Sequence, residues 1–89
     1  MSRRQATLSD HARRQAARRG IAESLVLDVA DDPEQILVIR AGREVRQSRV
    51  RLADGGSRLV RVVVDVVGDD TRVITVYRTT KVEKYWRLA

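Results

Sequence analysis

The chain has 89 residues, room for one domain of ordinary size, and its 18 Lys and Arg against 12 Asp and Glu leave a net charge of +6. With no cysteine and a single histidine, His11, disulfide frameworks, thiolate chemistry, cysteine zinc sites and multi-histidine metal sites are excluded within the chain, and no metal or other cofactor is expected. No apolar run approaches the ~18–20 residues of a membrane span, and no apolar stretch follows the basic start, so a cytoplasmic protein is expected.

The basic balance points to an anionic partner. It is organised in blocks. Residues 1–20 carry six Arg and one acid, residues 21–39 carry five acids and no base, and residues 40–61 carry seven Arg against two acids. Both lysines, both tyrosines and the single tryptophan fall in the last thirteen residues. No phosphate-binding glycine loop, nucleophile elbow or HExxH pattern is present. The chain reads as a single domain over residues 1–89, with residues 1–7 expected to be a flexible N-terminus.

Ser9 is placed to cap a helix running to about Arg19, with Gly20 at the position where a left-handed residue ends one. Leu8, Ala12 and Ala16 form its narrow apolar stripe, and His11, Arg14 and Arg18 share a polar face. A second helix over residues 22–30 places Ile21, Leu25 and Val29 on one face, with Val26 beside them, until Asp31-Asp32-Pro33 stops it. Residues 35–40 then read as a strand, followed by a tight turn at Ala41-Gly42. In residues 43–52, Val45 is out of phase with Val50 and Leu52, which predicts a bulge or an edge strand. The Ala53-Asp54-Gly55-Gly56-Ser57 cluster predicts a hairpin. Residues 59–67 alternate Val60, Val62, Val64 and Val66 with Leu59, Arg61, Val63 and Asp65, as a central strand would. A turn at residues 68–71 returns the chain as a fourth strand over residues 72–78, and Thr79 or Thr80 is placed to cap a last helix containing residues 81–86. The expected fold is α+β: two N-terminal helices on a four-stranded antiparallel meander, with a short C-terminal helix.

Two segments carry a resemblance. His11-Ala12-Arg13-Arg14, with Arg18-Arg19-Gly20-Ile21, opens the chain, and Thr75-Val76-Tyr77-Arg78-Thr79, Lys81 and Lys84-Tyr85-Trp86 close it. Together they resemble a small bacterial family of unknown function, and more distantly the BrnT-like toxins of the RelE superfamily. Those toxins are small ribonucleases neutralised by a cognate antitoxin. A chain of that type opens on an aromatic-rich strand, which this sequence lacks. The resemblance implies a RelE/BrnT-like fold, a toxin of a type II toxin–antitoxin system, and metal-independent RNA cleavage or inhibition of translation. The implied partners are RNA, including ribosome-bound mRNA, and an antitoxin.

Such cleavage needs a base for the 2′-hydroxyl, an acid for the leaving oxygen and cations for the phosphorane. His11 is the one side chain whose ordinary pKa suits proton transfer near neutrality. Arg78 and Lys81 offer phosphate contacts, and Tyr77 a stacking surface or a weak acid. These four are the catalytic candidates. Arg14, Arg18, Arg46, Arg49, Arg51, Arg61, Lys84 and Tyr85 are the candidates for nucleic-acid binding.

Each has a plainer reading. A lone histidine near a helix start is more often structural, and Tyr77 and Trp86 are the largest apolar anchors available to a small core. Tyr85 and Trp86, adjacent on a short helix, cannot share its face. The helix arginines serve equally as a solvated surface. A non-catalytic nucleic-acid-binding module, or a protein-interaction module that pairs an arginine-bearing edge strand with an acidic partner or with its own copy as a homodimer, stands as the alternative.

Overall fold

A computed structural model describes residues 6–51, 53 and 55–88. The fold is α+β: a five-stranded mixed sheet with two helices packed on one face and a single helical turn on the other. The elements are β1 (Thr7–Leu8), α1 (Asp10–Arg18), α2 (Glu23–Asp31), β2 (Gln35–Arg40), β3 (Arg43–Arg51), β4 (Ser57–Val67), β5 (Asp70–Thr79) and α3 (Val82–Tyr85). The strand order is β1-β5-β4-β3-β2.

The expected antiparallel meander is β2 to β5, and β1 adds a fifth strand parallel to β5, with Thr7 opposite Arg72 and Leu8 opposite Val73. One expectation changes here: Leu8 is a strand residue rather than part of the helix stripe. Ala6, only 5% exposed, belongs to the core. Residues 1–5 lie outside the described residues.

The helices begin and end for local reasons. The Ser9 hydroxyl accepts from the Ala12 N–H at 3.1 Å, satisfying one of the donors that a helix start leaves open. Gly20 follows the Arg19 cap with φ +66°, a region that side chains with a Cβ rarely adopt. α2 stops at Asp31, where Asp32-Pro33 forbids another turn. The Arg46 guanidinium donates to the Ala30 carbonyl at 2.6 Å, closing the carbonyl end of α2 against β3.

Val60, Val62 and Val64 of β4 are fully buried beneath the helices, as the alternation in the sequence predicts. Each such valine contributes about 1.5–3 kcal/mol of apolar burial. Ala12 and Ala16 present no bulk, so α1 lies close upon β5. In β5 the buried residues are Val73 and Val76, three apart rather than two. The reason is a bulge: Val63 faces Thr75 while Val64 faces Val73, so Ile74 is the extra residue. The Val76 N–H near this irregularity is taken up by Gln15 Oε1 of α1 at 3.0 Å, which ties the helix to the bulged strand.

β3 lies between β2 and β4, so the expectation of an edge strand there fails. Val45 and Val50 are out of phase because β3 is covered on both faces, by α2 on one and by residues 85–87 on the other. Leu52 lies outside the described residues. The true edge is β2, whose own irregularity falls between Val38 and Arg40.

Candidate functional site

The face of the sheet away from α1 and α2, here termed the open face, gathers the polar chemistry. Register places one residue from each of four strands in a single row: Gln35 opposite Gln47, Gln47 opposite Arg61, and Arg61 opposite Tyr77. Their side chains form an unbroken hydrogen-bonded chain. Gln47 Nε2 donates to Gln35 Oε1 at 2.7 Å, Arg61 Nε donates to Gln47 Oε1 at 2.9 Å, and Arg61 Nη1 donates to the Tyr77 hydroxyl. Gln47 is completely buried, yet each of its polar atoms is engaged.

The C-terminal segment crosses this row and is fastened to it. Gln47 Nε2 also donates to the Tyr85 carbonyl at 3.1 Å. Gln35 exchanges two bonds with Arg87: its Nε2 donates to the Arg87 carbonyl, and its Oε1 accepts from the Arg87 N–H. The Tyr85 ring lies 4.3 Å from the Arg61 guanidinium carbon and meets the Tyr77 ring edge-on, with centroids 6.4 Å apart. Lys84 Nζ stands 5.3 Å from the same Tyr85 ring.

Along β3, the next open-face residue after Gln47 is Arg49. Its guanidinium carbon lies 4.1 Å from the Trp86 ring, and it also makes a forked pair with Glu34. The pair holds the Glu34 carboxyl below its ordinary value, chiefly through the hydrogen bond from Arg49, and raises Arg49 in turn. At the other end of the face Arg43 forks onto Asp65 at 2.7 and 3.1 Å. That bond lowers the Asp65 pKa and raises that of Arg43. Between the Arg43–Asp65 pair and the Arg61 row lies an uncharged row, Leu37, Val45, Val63 and Thr75.

The twelve candidates from the sequence divide by this geometry. Tyr77, Arg61, Arg49, Arg51, Lys84 and Tyr85 belong to the open face or to the segment crossing it. Arg78 follows Tyr77 in β5 and therefore points to the helix side, opposite Val60. His11, Arg14 and Arg18 are exposed on α1, also on the helix side. Arg46 pairs with Val62 on the helix side, where it binds Glu44 and the end of α2. Lys81 is exposed at the start of α3, in a depression of about 370 Å³ lined by residues 80–84. The expected quartet of His11, Tyr77, Arg78 and Lys81 is thus divided by the sheet, with the arginine and tyrosine that meet being Arg61 and Tyr77.

Two further expectations are corrected. α3 covers only residues 82–85, with Lys81 as its N-cap, and Thr79 Oγ1 accepts from the Lys81 N–H instead of capping the helix. Trp86 has already left the helix, with φ −75° and ψ 126°, so Tyr85 and Trp86 each half-bury on the same sheet face, against different arginines. Neither aromatic enters the core cluster beneath the helices, nor does Tyr77. The residues that sequence reasoning missed are Gln35 and Gln47. The turn alone could not reveal them: a two-residue turn at Ala41-Gly42 pairs Arg40 with Arg43 and would set Gln35 against Ser48, and the irregularity at Ile39 moves the register by one to bring Gln35 opposite Gln47.

A family profile described as a domain of unknown function, DUF4258, matches residues 8–78. The chain belongs to this family. The matched stretch holds α1 and the whole meander through Arg78, and stops before the segment that carries Lys81, Lys84, Tyr85 and Trp86. No curated protein and no solved structure gives a significant match. Among the described residues no helix is long and apolar enough to cross a membrane.

Proposed function

We propose that this chain is an RNA-acting, toxin-like domain of the BrnT/RelE type, with the open sheet face as its RNA-binding surface. The observation that carries the reading is the Arg61 guanidinium, held by Gln47 and the Tyr85 ring against the Tyr77 hydroxyl, on a strand face that also bears Arg49 and Arg51. Arginine forks and aromatic rings on one sheet face are what a single-stranded nucleic acid uses: cations track phosphates and rings accept stacked bases. The chain's +6 charge favours the encounter. The order of two helices followed by a meander agrees with what the resemblance implies, while β1 carries no aromatic residue where that type of toxin opens on an aromatic-rich strand.

In this reading His11 has no part in the chemistry. The 2′-hydroxyl attacks the adjacent phosphorus and releases its proton to solvent. Arg61 balances the charge on the phosphorane oxygens. Tyr77 gives its proton to the departing 5′-oxygen and regains one from water, leaving a 2′,3′-cyclic phosphate and a 5′-hydroxyl end. A cognate antitoxin neutralises the activity in the cytoplasm by covering the same face.

The test is expression in cells and in a cell-free translation mixture, with RNA ends mapped. Wild-type and His11→Ala protein should cut RNA or arrest translation alike, while Arg61→Gln and Tyr77→Phe should lose at least ~100-fold, within the range general acid–base groups supply. Loss on His11→Ala with Arg61→Gln unaffected would overturn the assignment. Wild-type protein that binds RNA without cutting it or slowing translation would reduce the function to binding.

A further inference from the structure

The two edges of the sheet differ. The β1 edge is two residues long, whereas β2 presents six residues to solvent on its outer side. Edge strands in soluble proteins are usually blunted by charge, proline or strong twist, since their free N–H and C=O groups template another strand. β2 carries the opposite composition. Its middle is Ile36-Leu37-Val38-Ile39, and Ile36, Val38 and Ile39 are 51%, 70% and 54% exposed. Ile36 and Val38 project on the helix side and stay largely exposed there, forming an apolar pair at the margin of the sheet.

We propose that β2 is the interface of a homodimer, in which two copies pair their β2 strands antiparallel around Leu37 and join two sheets into one. The occupant is argued from three features. First, the edge is self-complementary: pairing centred on Leu37 sets Ile36 of each copy against Val38 of the second copy, on the same face. Second, charge is polarised along the strand. Exposed Asp32 precedes β2 with Glu34, and exposed Arg40 ends it. Antiparallel pairing lays the acidic end of each strand beside the basic end of the other, whereas parallel pairing would align like charges. Third, the strand carries no charge between Glu34 and Arg40, and its irregularity at Ile39 lies outside the Ile36–Val38 stretch at the centre of the pairing, so neither charge nor bulge opposes close approach there.

The symmetry has a consequence. The axis runs perpendicular to the joined sheet, so both open faces lie on the same side, and the Arg49 and Arg61 rows of the two copies flank the axis. This arrangement stands on the edge geometry and holds whether or not the open face acts on RNA.

The chain has no cysteine, which permits a direct test. Directly opposed residues of an antiparallel pair have Cα atoms about 4.5–5.5 Å apart, within the range a disulfide spans. Leu37→Cys should oxidise rapidly to a covalent dimer, while Val67→Cys, at a position 75% exposed at the end of β4 with β3 between that strand and β2, should cross-link at least tenfold more slowly. Sedimentation of the wild-type protein should show a reversible dimer, and Val38→Lys should weaken it at least tenfold while keeping the circular dichroism of the wild type. Wild-type protein that stays monomeric at high micromolar concentration would overturn the proposal, as would Leu37→Cys cross-linking no faster than Val67→Cys. A dimer indifferent to Val38→Lys would place the interface elsewhere. These outcomes are independent of any RNA assay, so this interface and the RNA reading fail separately.

Discussion

Replacing Gln47 with methionine keeps the length and approximate volume of the side chain while removing every hydrogen bond it makes. Three bonds disappear, to Gln35, to the Tyr85 carbonyl and from Arg61. Two are neutral and each contributes about 1 kcal/mol net, and the charged one about 1.5–3 kcal/mol. Opposing this, the apolar side chain no longer carries an amide into a fully buried position, which returns about 1–3 kcal/mol. The balance is a destabilisation of about 2 kcal/mol. For a domain of this size that lowers Tm by roughly 8–16 °C. Thermal unfolding followed by circular dichroism gives the global value, and the fluorescence of Trp86, the only tryptophan, reports locally on the segment crossing the open face. The emission should shift to the red at temperatures where the circular dichroism is still native, because the row that fastens the segment has lost its centre. A fall in Tm of less than about 3 °C, with Trp86 unchanged, would refute the claim that Gln47 organises this face.

Other outcomes follow from the same geometry. Ser9→Ala removes the N-cap of α1 and should cost about 1 kcal/mol, a drop of roughly 4–8 °C in Tm. The Arg43–Asp65 pair sets a pH dependence. Because the folded-state pKa of Asp65 is lowered, its contribution is present above the ordinary carboxylate range, near 3.8, and is lost as pH falls through the folded value. Asp65→Asn should therefore be less stable than the wild type at pH 7, and the two melting curves should converge near pH 2; a gap that widens on acidification would contradict the pairing.

Much of the fold was legible because its signals are local. The Ser9 cap, the Gly20 stop, the Asp32-Pro33 break and the boundaries of β2 each depend on a few adjacent residues. β1 was not legible, since a two-residue strand has no periodicity and Leu8 also completes the stripe of α1. The exchange of β3 for β2 as the edge has a different cause. Polar residues in β3 read as solvent-facing, but Gln47 and Ser48 are buried because neighbouring strands and the C-terminal segment supply their partners. The site was half legible. Arg49, Arg51, Arg61, Tyr77 and Tyr85 were named from residue type, while the grouping of His11 and Arg78 with Tyr77 ignored strand alternation, which sends Tyr77 and Arg78 to opposite faces. A bulge at Ile74 further shifts the faces of Thr75 to Thr79 relative to Val73 when they are counted along the sequence.

The central claim is that the open face, and not the helix face, engages RNA. It is tested most directly by titrating a fluorescent single-stranded RNA with two double variants at several salt concentrations. Arg49→Gln with Arg51→Gln alters the open face, and Arg14→Gln with Arg18→Gln removes the same charge from α1. The open-face variant should bind at least tenfold more weakly, with a log–log salt slope shallower by about 1 to 2, while the helix variant stays within about twofold of the wild type. Equal losses in both variants, or a larger loss from the helix face, would contradict the account.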